Sequence, residues 1–263
     1  MSVDSEKSNL WDERAKIFDK SVVQGEMDDK LLFEGWKAIL KEILSDERKL
    51  RILDIGTGTG FLAITLAELG HDVSAIDVSP NMLEITRKRA AQRGLKIDFK
   101  LGDAMDLADF PPETFDVIIN RYLTWALPDL NRAYEEWLRV ISEEGRLIII
   151  DGNWFKNRRS VFRKIWRSLA WILIYLTEKR KSERDKNQEL VSIKSSVSEM
   201  IRPEDDLKIL NSCGYKVVKV NSNIYPLIYK GLQGKFEYLK RCYWGPAFMI
   251  IAEKSVDTRV LND

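Results

Sequence analysis

One stretch, LDIGTGTGFLAITLAELG (residues 53–70), limits what this chain can fold into. The apolar run RILDIG has the length and composition of a buried strand. Three glycines follow at alternate positions, Gly56, Gly58 and Gly60. FLAITLAELG then reads as a helix closed by Gly70. This order places the free N–H groups of a helix start beside residues without a Cβ, where a polar or anionic ligand group can come close. Several ligands use such a turn, and the spacing separates them. A dinucleotide fingerprint is G-x-G-x-x-G. Here the glycines run G-x-G-x-G, one residue short, and the lysine and Ser/Thr of a P-loop are missing.

The strand–helix alternation continues along the chain. HDVSAIDVS reads as a second strand. SPNMLEITRKRAAQRG reads as a helix with Ser79 as N-cap, Pro80 in its first turn and Gly94 past its end. LKIDFKLGD and FDVIIN are the third and fourth strands, PDLNRAYEEWLRVI a helix and GRLIIIDGN the fifth strand. Strands alternating with helices imply an α/β fold, a parallel sheet with helices on both faces. Upstream, Trp11, Arg14, Ala15 and Phe18, and then Leu32, Trp36, Ile39, Leu40 and Ile43, recur at helical spacing.

Beyond Asn153 the alternation stops. Phe162, Ile165, Trp166, Leu169, Ile172, Leu173 and Leu176 follow a helical 3–4 spacing, and Arg159, Arg163 and Arg167 line another face. From Lys156 to Lys186 there are eleven Lys/Arg against three Asp/Glu, a local net of +8. RPEDDLKILNSCG reads as a further helix, and YKVVKVN and PAFMIIAEK as the last two strands. The chain therefore divides into N-terminal helices (1–45), a ligand-binding core (46–153), an α-helical lid insertion (154–200) and the remainder of the core (201–263). The apolar face of the insertion is expected against the ligand edge of the sheet, at the carboxyl ends of its strands, or a second subunit, so a homodimer through the lid is one expected partner arrangement.

Composition removes other classes. The net charge of +1 over 263 residues gives no global field toward nucleic acid or membrane. The polar N-terminus has no apolar leader core, and the longest apolar run, LAWILIYL, is too short to span a bilayer. A cytoplasmic setting is expected. Two cysteines, Cys213 and Cys242, make no disulfide framework, and with His71 as the sole histidine no metal site is expected.

LDIGTGTGF, together with AIDVSPNML and LGDAMDL, resembles the class I S-adenosylmethionine-dependent methyltransferases. The resemblance implies a Rossmann-like sheet of seven strands, parallel except for one near the end. It also implies S-adenosylmethionine as cofactor. Asp77, ending the second strand, would accept from the ribose hydroxyls, with helix capping as its plainer role. Val78 and Met82 would pack on the adenine. Gly102, Asp103 and Ala104, at the third strand end, would meet the adenine edge. Asp54 would anchor the turn or reach the methionine amino group, beside Gly56, Thr57 and Gly58. Asn120 would face the same amine. Trp11 and Arg14 match an N-terminal helix that closes over the cofactor in related enzymes.

The acceptor is less legible. NRYLTWALPD does not match the N/D-P-P-Y/F text of amino methyltransferases, and two cysteines are too few for arsenite chemistry. Nucleic acid is disfavoured because the aromatics of the basic segment fall on its presumed core face. Arg121, Tyr122 and Trp125 follow the fourth strand, and Asp151, Asn153 and Trp154 follow the fifth, so all face the ligand edge. Tyr122 and Asp151 are the candidate catalytic groups, Asp151 as base or acceptor-orienting group. Arg121, Trp125 and Trp154 are the candidate acceptor contacts. The expected activity is methyl transfer to a small-molecule acceptor. A lipid-like or quinone acceptor met at a membrane surface, and a non-catalytic cofactor-binding domain, stay open beside it.

Overall fold

Two apolar clusters, one on each side of a single sheet, set the architecture. The computed structural model describes residues 30–45, 48–153, 160–178, 197–229 and 246–255, with residues 9, 11–13, 15 and 27 ahead of them. In chain order the elements are α1 (Lys30–Ile43), β1 (Arg51–Ile55), α2 (Phe61–Glu68), β2 (Asp72–Asp77), α3 (Pro80–Gln92), β3 (Asp98–Leu101), β4 (Phe115–Arg121), α4 (Leu130–Val140), β5 (Ile141–Gly152), α5 (Val161–Glu178), α6 (Glu204–Ser212), β6 (Tyr215–Asn221), a short α7 (Tyr225–Ile228) and β7 (Ala247–Lys254).

The strands form a seven-stranded sheet in the order β3-β2-β1-β4-β5-β7-β6. β1 to β5 pair in parallel. β7 runs antiparallel to both β5 and β6. This is the Rossmann-like, mostly parallel sheet that the sequence implies, with its one reversed strand.

Side chains alternate across each strand, so the apolar runs feed both faces. Ile52, Val117, Ile119, Ile148 and Ile150 join α1 and α2 on one side, where Leu32, Trp36, Ile39, Leu40 and Ile43 are all buried. Leu53, Ile118, Leu147, Ile149 and Ile250 face α4, whose Tyr134 and Trp137 lie fully buried. β5 begins earlier than GRLIIIDGN, directly after α4, because Ile141 pairs with Phe115 and is itself fully buried. Ser79 caps α3 as expected, its hydroxyl accepting from Met82 N–H at 3.1 Å, and Pro80 follows in the first turn. His71 is structural: its Nδ1 accepts from Leu50 N–H at 3.4 Å.

Within this single chain α5 does not bury its apolar stripe against the sheet, the first of the two expected positions. The 3–4 stripe of Phe162, Ile165, Leu169, Ile172 and Leu176 is exposed, and the packed side carries Ala170 and Ile174 with Trp166 and Trp171 against them. With Phe162 turned outward, the reason for discounting nucleic acid fails for that ring. Among the described residues no helix is long and apolar enough to cross a membrane. Residues 154–159 and 179–196 of the expected insertion, including Trp154, lie outside the described residues, as do Arg14 and Cys242.

Candidate functional site

Every described candidate residue of the ligand site lies at or beside the carboxyl ends of β1 to β5, where ligands bind in open parallel sheets. A hollow lined by Arg51, Asp72, Ser74, Lys96 and Asp98 sits at the opposite, amino ends of the strands and takes no part.

The glycine turn is built from beneath. Gly56 and Thr57 N–H donate to Ile76 O at 2.9 and 3.0 Å, tying the turn to β2. The fully buried Asp54 carboxylate accepts from Thr57 Oγ1 at 2.7 Å and from Ala63 N–H, in the first turn of α2, at 3.0 Å. Asp54 thus anchors the loop. Burial pushes its pKa up to about 7, against the hydrogen bonds from Thr57 and Ala63. Two side chains of α3 hold the turn's carbonyls: Thr86 Oγ1 donates to Gly58 O at 2.8 Å, and Arg89 Nη1 to Thr59 O at 2.8 Å.

All three glycines have positive φ, 67° at Gly56, 54° at Gly58 and 88° at Gly60. Their surroundings differ. A Cβ on Gly60 would lie 2.2 Å from Thr86 Cγ2, whereas one on Gly58 would meet nothing within 4 Å. Gly60 is glycine so that α2 and α3 can pack closely. Gly58 presents bare backbone to open space.

Asp77 joins the turn to the end of β2. Its Oδ2 accepts from Gly58 N–H at 2.8 Å and its Oδ1 from Ser79 N–H at 2.9 Å. Burial raises its pKa to about 6, partly offset by those backbone N–H groups. Each carboxylate oxygen has a second lone pair for a ligand hydroxyl. Gly102 N–H donates to Asp77 O at 3.1 Å, so the ends of β2 and β3 are in register. There Asp103 Oδ1 accepts from Met105 N–H at 2.9 Å, and Ala104 O accepts from Trp137 Nε1 at 2.8 Å. Val78 is half-buried beside Asp77, and Met82 is buried.

Asn120 supplies the test of fit. It is fully buried at the end of β4, and neither its amide nitrogen nor its amide oxygen has a hydrogen-bond partner. A buried primary amide with both ends unsatisfied costs roughly 1–3 kcal/mol. A ligand with both donors and acceptors, as an amino-acid moiety has, would relieve that cost. With bare backbone at Gly58 and a buried carboxylate at Asp77, the residues present fit S-adenosylmethionine.

The next residues are the candidate acceptor contacts. Arg121 stacks over Phe61 at 3.9 Å and over Trp36 at 5.1 Å, so its charge sits on the face that carries Asp54. Tyr122 has φ 59°, uncommon for a non-glycine residue, and its hydroxyl lies 3.3 Å from that of Tyr225 in α7. Trp125 Nε1 donates to Tyr122 O at 2.7 Å, and its ring meets Trp11 edge-on at 6.2 Å. Trp11 and Trp125, far apart in sequence, are therefore neighbours over the site.

Asp151 does not suit the role of a base. It is fully buried, and its oxygens accept from Thr124 Oγ1, Trp125 N–H at 3.0 Å, Gly152 N–H at 2.7 Å and Arg202 Nη1 at 3.2 Å. Arg202 also makes a two-pronged contact with Asp206 through Nε and Nη2. Burial works against the Arg202 charge, but Asp151 and Asp206 outweigh it and hold its pKa above the ordinary value.

Four residues escape a sequence reading. Thr86 and Arg89 brace the turn, Arg202 braces Asp151, and Asp12 ties down the N-terminal segment. Asp12 Oδ1 accepts from Ser79 Oγ and from Asn81 N–H at 3.2 Å. The one local signal was the i, i+4 spacing of Arg202 and Asp206.

The strand order and the site at the strand ends define a class I methyltransferase fold. Residues 46–214 match the methyltransferase domain family, and the chain belongs to it. It is 35% identical over 118 residues to a demethylmenaquinone methyltransferase of Thermus thermophilus, covering 44% of this chain and 53% of that protein. It is 32% identical over 122 residues to a phosphatidylethanolamine N-methyltransferase of Cereibacter sphaeroides, covering 46% of this chain and 58% of that one. The chain thus spans about half the length of these curated relatives. A solved SAM-dependent methyltransferase of Aquifex aeolicus shares the fold, with TM-score 0.53 and 21% identity, covering 84% of this chain and 90% of that one.

Proposed function

We propose that this protein transfers a methyl group from S-adenosylmethionine to a small-molecule acceptor in the cytoplasm. The observation that carries the reading is the Gly58–Asp77 hydrogen bond, which fixes a bare backbone surface beside a buried carboxylate. S-adenosylmethionine, when bound, would supply an electrophilic methyl group that a nucleophile of the acceptor takes in line, with S-adenosylhomocysteine leaving as the thioether. The chain's part is to bind, align and exclude water.

In this reading Asp77 accepts from the ribose hydroxyls, Val78 and Met82 pack on the adenine, and Gly102, Asp103 and Ala104 border its edge. Gly56, Thr57, Gly58 and Asn120 border the methionine part, with Asp54 holding the turn beneath. Arg121, Tyr122 and Trp125 form the acceptor wall, and Trp11 covers it. Tyr122, with its left-handed backbone and its hydroxyl beside that of Tyr225, is the candidate catalytic group of this wall. Asp151 is a positioning residue, holding Thr124 and Trp125 in place. Calorimetric titration tests the cofactor: S-adenosylmethionine and S-adenosylhomocysteine should bind, and NAD should not. Labelled methyl transfer into metabolite fractions then tests the activity, and its absence from every fraction would leave a non-catalytic binding domain.

A second reading of the acceptor, a lipid-like or quinone molecule met at a membrane surface, is favoured by the apolar face of α5. The names of the Thermus and Cereibacter relatives, a demethylmenaquinone and a phosphatidylethanolamine methyltransferase, point the same way.

A further inference from the structure

The least expected surface in the molecule is on α5. Val161, Phe162, Ile165, Leu169, Ile172 and Leu176 are each between 51% and 73% exposed. At 3.6 residues per turn these six positions fall within one arc of about 100°, the width of an apolar stripe that normally faces a core. Ala170 and Ile174, on the other side, are the buried positions of the helix, with Trp166 and Trp171 packed against them. An exposed stripe of this size on a soluble chain marks an interaction surface.

Charge decides between the possible occupants. The run from Lys156 to Lys186, which contains α5, carries a net +8. Lys164 is exposed within the helix itself. A second copy seated face to face would bring two such runs together, and like charges would oppose the contact. Nucleic acid would match the charge but not an aliphatic stripe. An anionic lipid surface matches both, since it takes apolar side chains into its acyl boundary and basic ones among its headgroups. The helix has 18 residues and does not qualify as a span, so it would lie in the interface rather than cross it.

We propose that α5 docks this protein on anionic membranes, with the stripe from Val161 to Leu176 inserted and the net +8 of the surrounding sequence drawing it to anionic headgroups. α5 starts nine residues after Gly152, so docking would keep the acceptor edge of the sheet near the lipid. That link to an acceptor rests on the methyl-transfer reading; the docking does not.

The test is co-sedimentation of the full chain with vesicles of phosphatidylcholine, with and without phosphatidylglycerol. Binding should require the anionic lipid and weaken as salt rises. The triple variant Phe162→Gln, Ile165→Gln and Leu169→Gln changes only outward side chains. It should keep its melting temperature and its S-adenosylmethionine affinity while losing about tenfold or more in vesicle affinity. Absence of vesicle binding by a folded chain at low salt would overturn the proposal. So would a concentration-dependent dimer that the triple variant dissolves, which would make the stripe a subunit interface, or tight binding to nucleic acid that the triple variant weakens. Calorimetry on the same preparation keeps the two readings apart: a chain that binds vesicles but not S-adenosylmethionine would sink the methyl-transfer reading alone.

Discussion

Arg202 and Asp151 meet 3.2 Å apart with side chains 2% and 0% exposed. The pair joins the start of α6 to the loop after β4, because Asp151 also receives Thr124 Oγ1 and Trp125 N–H. Removing one partner of a buried ion pair leaves the other charge uncompensated, at a cost of about 3–5 kcal/mol. Arg202→Met should therefore lower the unfolding free energy by that amount in a urea titration. Arg202→Lys should recover only part of it, since an ammonium cannot reproduce the two-pronged contact with Asp206.

Asp151→Asn separates positioning from base catalysis. Turnover should fall because Thr124 and Trp125 lose a charged acceptor, while cofactor affinity stays nearly intact. The pH dependence of the remaining activity should keep its shape. If instead a limb of the pH profile disappears, Asp151 is the titrating base after all.

Asp77 predicts a pH dependence of cofactor binding. Its folded pKa of about 6 stands above the ordinary 3.8. With the folded value raised, its contribution to stability is fully present below pH 3.8 and is lost as pH rises through about 6. Cofactor binding runs the other way, because the ionised carboxylate is the better acceptor for ribose hydroxyls. Affinity measured by calorimetry should strengthen from pH 5 toward 7, and Asp77→Asn should flatten the change. Asp77→Ala should weaken binding by about 1.5–3 kcal/mol, the scale of a hydrogen bond to a charged group.

What could be read from sequence was local. RILDIG, the G-x-G-x-G turn and Ser79–Pro80 carry their strand, turn and cap signals within a few residues. The bracing of the site was not legible, because its partners are distant: Arg202 and Asp151 are 51 positions apart, and Asp12 and Ser79 are 67 apart. Nor does a 3–4 pattern say which side of a helix will be packed. In α5 Ala170 and Ile174 are the buried positions, and the larger aliphatic stripe is left outward.

The two outer roles of the glycine turn are separable by substitution. Gly60→Ala sets a methyl 2.2 Å from Thr86 Cγ2, at a φ of 88°. It should destabilise the fold by more than the roughly 1–2 kcal/mol of left-handed strain alone. Gly58→Ala carries the strain without a clash, so the protein should stay folded, with a lower melting temperature. Its cofactor affinity should fall sharply, since the new methyl fills the space over the bare backbone. Unchanged affinity in Gly58→Ala would move the cofactor away from this turn.

Among the described apolar side chains of α5 only Ala170 and Ile174 are buried, whereas β1 is buried from Ile52 to Ile55 between two neighbouring strands. Local opening is easiest where few apolar contacts must break. Amides of α5 should therefore exchange faster than those of β1 in the free protein. A lid that closes over cofactor and acceptor should slow them when both are bound. Anionic vesicles should slow them without either ligand, because insertion shields the helix by a different route. The triple variant Phe162→Gln, Ile165→Gln and Leu169→Gln should lose the vesicle effect and keep the ligand effect. Exchange in α5 as slow as in β1, with neither ligand nor lipid present, would rule out easy local opening of this helix.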